Sequence, residues 1–162
     1  MEITVRSATP EEAEAIARMH VRSWQAAYRG LFPDAYLDGL DWREWAERRR
    51  ADISDGDKQV RVAVDGTIVL GFASFGPTRD DDLPAGTPEL YGIYLDPDRW
   101  ARGLGSRLLD ALPPGPLTLW VLADNERAIR FYTRHGFVPD GSTKQIDRGG
   151  HKATQARYRR TC

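Results

Sequence analysis

The chain has one cysteine in 162 residues, Cys162, and it stands last, so no intrachain disulfide can form. A thiol there lies where chain ends fray, which is poor support for a positioned nucleophile. Long apolar runs are also missing. No stretch approaches the roughly 20 apolar residues of a membrane span. Glu2, Arg6, Glu11, Glu12 and Glu14 crowd the N-terminus with no apolar run behind them, which excludes a secretory signal. Net charge is nearly absent, with 23 Lys and Arg against 24 Asp and Glu. That leaves no electrostatic footprint for nucleic acid. His20 and His151 show no metal-ligand spacing with a partner. The expectation is a soluble cytoplasmic protein with no metal, no nucleic acid and no membrane among its partners.

What is present is globular. Hydrophobic residues make up 41% and charged residues 29%, a composition that folds rather than stays disordered. The length suits one domain spanning 1–162. A short strand is expected over Ile3 to Arg6. Thr9-Pro10-Glu11-Glu12 is a capping box with proline in the first turn, and Ile16, Met19, His20, Ser23 and Ala27 follow at helical spacing. Gly30 ends that helix. Pro33-Asp34 opens a short helix with Tyr36, Leu37 and Leu40. Asp41 caps a polar helix running to about Arg50, and a loop covers Asp52 to Lys58. Val60, Val62 and Val64 alternate in a half-buried strand. Asp65-Gly66 is a hairpin turn, and Thr67 to Phe75 return. Gly76 to Pro88, with Asp80, Asp81 and Asp82, reads as a mobile, solvated acidic loop.

The second half alternates strand and helix. Glu89 to Leu95 is an apolar strand with Gly92 inside it, where an internal glycine marks a bulge or a close backbone approach. Arg102-Gly103-Leu104-Gly105-Ser106 leads into a helix with Leu108, Leu109 and Leu112. Leu117 to Leu122 is a strand. Asp124 or Asn125 caps a helix with Ala128, Ile129, Phe131 and Tyr132, stopped at Gly136. Phe137-Val138 begins a strand, and Ala153 to Arg159 forms the last. This order predicts a mixed α/β sheet.

A strand, a glycine-bearing loop and a helix together make a phosphate site, because free first-turn N–H groups and the helix dipole favour anions. The loop is no Walker A, since no Gly-Lys is followed by Ser or Thr. A dinucleotide fingerprint needs a third glycine where Leu108 stands. The stretch from Tyr94 to Leu109 instead resembles the coenzyme A signature of GNAT acetyltransferases, Arg/Gln-x-x-Gly-x-Gly/Ala, with Gly103 and Gly105 matching and Trp100 departing at the first position. Asn125 to Phe137 resembles the family's Asn-x-x-Ala-x-x-x-Tyr-x-x-x-Gly-Phe segment.

The resemblance implies a mostly antiparallel sheet with flanking helices and a splayed central pair of parallel strands. It implies an acetyl-coenzyme A-dependent N-acetyltransferase acting by direct attack of an amine; the motifs are silent about the acceptor, and Trp24, Tyr28 and Tyr36 as a lined pocket favour the primary amine of a small molecule. A protein or peptide N-acetyltransferase and a non-catalytic acyl-coenzyme A sensor are the alternatives, and a homodimer is an assembly it allows. Coenzyme contacts fall to Ile93, Tyr94, Leu95, Trp100, Ala101, Arg102, Gly103, Leu104, Gly105, Ser106, Asn125 and Tyr132. Tyr132 matches the acid at the departing thiolate, and Glu89 lies where some relatives carry a glutamate base; without that role it reads as a solvated strand-end carboxylate. Trp24, Tyr28 and Tyr36 are expected in the acceptor pocket or the core. Asp34, Asp38 or the acidic loop could hold a second cationic group, which favours polyamine-like or aminoglycoside-like acceptors.

Overall fold

The computed structural model describes residues 2–100 and 102–161. The expectations for Ala101 and Cys162 lie outside the described residues. Strands β1 (Thr4–Ser7), β2 (Gln59–Asp65), β3 (Ile68–Pro77), β4 (Pro88–Leu95), β5 (Leu117–Leu122), β6 (Val138–Arg148) and β7 (His151–Arg160) form one sheet in the order β1-β2-β3-β4-β5-β7-β6. Every neighbouring pair is antiparallel except β4 with β5. The helices are α1 (Ala13–Tyr28), α2 (Asp34–Asp38), α3 (Trp42–Ser54), α4 (Leu104–Asp110) and α5 (Glu126–Arg134).

The caps form as their sequences require. The Glu12 carboxylate accepts from the Thr9 N–H at 2.9 Å and from Arg6 at 2.9 Å, and a single 3-10 turn, Pro10–Glu12, feeds α1. Asp41 accepts from the Arg43 N–H and caps α3. That helix runs four residues past the expected end, over a stretch expected as loop. The β2–β3 turn falls on Gly66 and Thr67, one residue later than expected. β6 runs to Arg148 and meets β7 across Gly149-Gly150, both at positive φ. A side chain at Gly149 would place its Cβ 2.6 Å from Tyr36, so this glycine lets the hairpin turn lie directly on α2.

Side chains sort onto two faces of the sheet. Ile16 and Met19 of α1 bury against Val60, Val62, Val64, Val69 and Phe72. The opposite face carries α4 and α5, with Leu104, Leu108, Leu109 and Tyr132 packed on Leu90, Leu119 and Val121. On β5, Trp120 and Leu122 alternate with these and face the α1 side, where Leu122 joins Phe32 and Leu37.

The acidic loop is not a freely solvated one. Arg157 on β7 is 5% exposed and binds Asp82 at 2.8 Å, Asp80 at 3.3 Å and Asp140 at 2.6 Å. The Trp120 indole N–H donates to both oxygens of Asp80, at 3.0 and 3.1 Å. Arg157 holds the Asp82 carboxyl below the usual carboxylate range; Asp140 is also held below it, against the effect of burial, by the Ser142 N–H and then by Arg157. Removing one partner of such a network leaves buried charge uncompensated, at a cost of about 3–5 kcal/mol. Arg157→Ala should therefore lower unfolding free energy by that order in denaturant titrations. It should also expose the 78–87 loop to protease before the protein unfolds globally. A loop as resistant as in the parent would contradict the anchoring role.

Candidate active site

β4 and β5 pair only at Glu89↔Thr118 and Leu90↔Leu119. Beyond Leu90 they part, and the gap opens through the sheet. The register of β4 on its other neighbour jumps at the same place: Ser74 faces Gly92 while Phe75 faces Leu90, so Tyr91 is an extra, bulged residue. The Asp96 N–H donates to Leu70 O at 2.8 Å, continuing the β3–β4 ladder. In an antiparallel ladder every second residue points its N–H at the partner strand. Gly92, Tyr94 and Asp96 therefore face β3, and the amides of Ile93 and Leu95 face the gap, where no strand receives them.

A cleft of about 1180 Å³ occupies this gap. Its wall on the α5 side holds Tyr132, Phe131, Asn125, Gly103, Gly105 and Ser106; on the α1 side it holds Trp24, Tyr28, Tyr36 and Trp120. Tyr94 reaches its middle. Gly92 makes that placement feasible, because a Cβ there would lie 2.6 Å from the Tyr94 ring. Gly103 takes φ +78° ahead of α4, with open space where a side chain would stand, so the loop backbone is exposed to the cleft. Gly105 has a packing reason of its own: a Cβ would approach Phe131 to 3.0 Å.

The expected residues separate into those the cleft gathers and those it does not. The side chains of Ile93 and Leu95 pack half-buried on the α4 face core at the edge of the cleft, while Leu104 is buried within that core and does not line the cleft. Arg102 is exposed beside the loop. Trp100 lies in the cleft wall under the Arg127 guanidinium, 3.6 Å above its ring. Asn125 caps α5 by accepting from the Ala128 N–H at 3.2 Å. Trp24, Tyr28 and Tyr36 pack as one aromatic cluster around Phe32 and also form cleft wall.

Glu89 does not lie in the wall. It is 1% exposed, not solvated, and its carboxylate accepts from the Arg79 N–H at 2.9 Å and from the Arg79 guanidinium at 2.6 and 3.1 Å. It anchors the acidic loop and turns Arg79 toward the cleft. In this arrangement it presents no oxygen to an incoming amine. Asp34 and Asp38 are likewise engaged, both by Arg29, at 3.2 and 3.1 Å.

The electrostatics of the cleft centre are those of buried neutral groups. Burial raises the Tyr132 phenol well above its ordinary value, with Tyr94 adding to the shift. Burial also raises Tyr28, again with Tyr94 and Tyr132 contributing. The phenols of Tyr28 and Tyr132, from α1 and α5, thus hold their protons on either side of Tyr94. His20, on α1, packs against Trp45, Phe72 and Tyr94 at 4.4–4.9 Å. Its Nε2 is out of solvent and has no hydrogen-bond partner, and burial with Arg49 and Arg48 nearby holds it neutral.

The family model described as the acetyltransferase (GNAT) family matches residues 18–137. The chain belongs to the GNAT family. It is 40% identical over 108 residues to the uncharacterized N-acetyltransferase YuaI of Bacillus subtilis (strain 168), an alignment covering 66% of this chain but only 60% of that protein. It is 26% identical to the spermine/spermidine N(1)-acetyltransferase of the same organism over 162 residues, covering 94% of this chain and 96% of that one. The crystal structure of the PaiA N-acetyltransferase from Thermoplasma acidophilum, in complex with coenzyme A, superposes with a TM-score of 0.74 at 19% identity over all of both chains. The expected GNAT architecture, with its splayed parallel pair, is the one observed.

Cleft residues that the sequence reading missed are His20, Tyr94 as a side chain, Trp120, and the cations of α3 and β6. The alternation of Lys144, Ile146 and Arg148 was the available signal for the last of these. The neutrality of His20 has a measurable consequence. A histidine whose folded pKa lies below the unfolded value of roughly 6.5 makes the unfolded chain the stronger proton binder in acid. Stability is then intact above that pH and declines below it, at up to about 1.4 kcal/mol per pH unit for one group. Melting curves from pH 8 to 5 should show this loss, and His20→Phe should flatten it; an unaltered slope would mean that His20 takes a proton in the folded protein.

Proposed function

We propose that this GNAT protein transfers the acetyl group of acetyl-coenzyme A to the primary amine of a small molecule by direct attack. The observation that carries the reading is the β4–β5 gap, onto which the amides of Ile93 and Leu95 turn and whose wall also holds the buried Tyr132. Bound acetyl-coenzyme A supplies an activated thioester carbonyl. The Ile93 and Leu95 amides are suited to hold the pantetheine arm and to donate to negative charge developing on an oxygen. The open backbone around Gly103 and the Ser106 hydroxyl suit the pyrophosphate, with Arg102, Arg127, Arg130 and Arg134 as a cationic surround on the α5 side.

Tyr132 donates to the departing sulfur. A phenol with so high a pKa does not ionise ahead of the chemistry, so its proton moves only as charge builds on sulfur. The proton lost by the amine restores it. The amine approaches from the α1 side, along Trp24, Tyr28 and Tyr36. Three aromatic rings in one wall support a small acceptor with an apolar body, which can stack on them.

Two measurements test the reading. Acetyl-coenzyme A should raise the melting temperature by mass action, while NAD and ATP should not. Equal shifts from all three would remove the cofactor assignment, and a shift with no thiol release from any amine would indicate a sensor. Tyr132→Phe should retain the shift and lose roughly 10²–10⁴-fold in kcat, the range for general acid–base groups. An unchanged kcat, with chemistry rate-limiting, would end the role given to Tyr132.

A further inference from the structure

The charge on the cleft walls is lopsided. On the α1 side the wall holds Arg48, Arg49, Lys58, Arg79, Lys144 and Arg148 against one carboxylate, Asp52. Asp52 is already divided between Arg49 at 3.5 Å and Lys58 at 3.4 Å, and Arg79 is taken by Glu89. Arg48, Lys144 and Arg148 have no carboxylate within 4 Å among the described residues. The chain as a whole carries a formal charge of −1. This cationic wall is therefore not the by-product of a basic protein; the acids have been spent in pairs elsewhere, on Arg6, Arg22, Arg29 and Arg157.

Lys144 and Arg148 share a face of β6, four residues apart, and both project to the α1 side of the sheet with Ile146 between them. The Lys144 ammonium stands 4.2 Å over the Trp120 ring, and the same indole is fixed by Asp80. Arg148 adjoins the Gly149 turn that lies on Tyr36. Lys144 thus stands on a fixed ring, and Arg148 springs from a turn fixed on α2, its guanidinium donating to the Asp147 carbonyl at 2.9 Å. The other cluster of cleft cations, on α5, lies across the sheet beside Gly103 and Gly105, where coenzyme phosphates are accounted for.

We propose that the acceptor is an amine that also carries an anionic group, a carboxylate or a phosphate, bound by Lys144 and Arg148 with Arg48 contributing from α3. The proposal rests on the acetyltransferase reading above for the reaction, though not for the binding. An arriving anion would complete ion pairs that the protein leaves open. Partial desolvation already lowers the Lys144 pKa, and a nearby anion would raise it again. A polyamine would meet like charge on this wall; of the carboxylates expected to receive it, Asp34 and Asp38 pair with Arg29 and Asp80 and Asp82 with Arg157, while Asp81 is exposed and does not line the cleft.

The test uses matched amines: an amino acid and its carboxamide, phosphoethanolamine and ethanolamine, and spermidine. Thiol release and, with coenzyme A present, the thermal shift from each amine are both read. The acidic member of one pair should exceed its neutral partner in kcat/KM by roughly 10-fold or more, the range of one charge-assisted contact, and which pair responds separates carboxylate from phosphate. Lys144→Gln and Arg148→Gln should each raise the acceptor KM by a similar factor, leave the acetyl-coenzyme A KM in place, and erase the acidic amine's thermal shift. Lys144→Arg should restore part of it. Preference for the neutral amines or spermidine, an unmoved acceptor KM, or an effect confined to acetyl-coenzyme A would overturn the proposal. An acidic amine that shifts the melting temperature but releases no thiol would sustain the binding site and overturn the transfer reaction. Neither response from any amine would overturn both.

Discussion

Two residue pairs, Glu89–Thr118 and Leu90–Leu119, join the halves of this sheet, and the site follows from their being so few. A parallel pair continued to Leu95 would close the gap and use the amides of Ile93 and Leu95 in a ladder. The bulge at Tyr91 re-aims β4 just beyond the last pair. The unpaired backbone that results is tolerable only where water or a ligand reaches it, since a buried amide without a partner costs about 1–3 kcal/mol. The same residues that break the sheet also furnish its polar lining. Gly92 gives the Tyr94 ring room to turn into the gap, and Glu89, just before the bulge, points Arg79 to its rim.

Around that gap the protein separates its charges. Carboxylates are drawn into pairs that hold loops and caps, whereas cations remain at the cleft. Arg157 illustrates the structural half of this division. Its guanidinium draws the acidic loop onto β6 and β7, and through Asp80 it fixes Trp120, over which Lys144 stands. The anchoring network and the proposed anion site thus share one indole, which ties the footing of Lys144 to a network whose own charged groups lie outside the cleft wall.

Legibility from sequence followed the range of the interaction that decides each feature. The capping boxes, the strand–loop–helix around Gly103, the Asn125 cap and the α/β order are set within a few residues, and they were readable. Glu89, expected as a base or otherwise as a solvated strand-end carboxylate, is buried instead, because its partner, Arg79, comes from a loop with no pattern to fix its direction. The acidic loop was misread because Arg157 lies 75 and 77 residues from Asp82 and Asp80. The β6–β7 hairpin was only half seen, since Val138–Arg148 is mostly polar. Its alternation serves the cleft on one face and leaves little apolar signal to detect.

The Trp100 departure shows how family pattern and local physics meet. Where the motif calls for Arg or Gln, this chain places an indole, yet a cation is still present, because Arg127 of α5 stacks on that ring at 3.6 Å. Burial lowers the Arg127 pKa, with Arg130 adding repulsion, so the guanidinium is partly desolvated and in a neighbourhood of like charge. The quadrupole of the ring offsets part of that cost, and an incoming phosphate would offset more. The motif's other choice at this position, Gln, is neutral, so the position demands no charge of its own; the indole instead gives the Arg127 guanidinium a face to rest on beside the loop, where Arg102 is exposed as well.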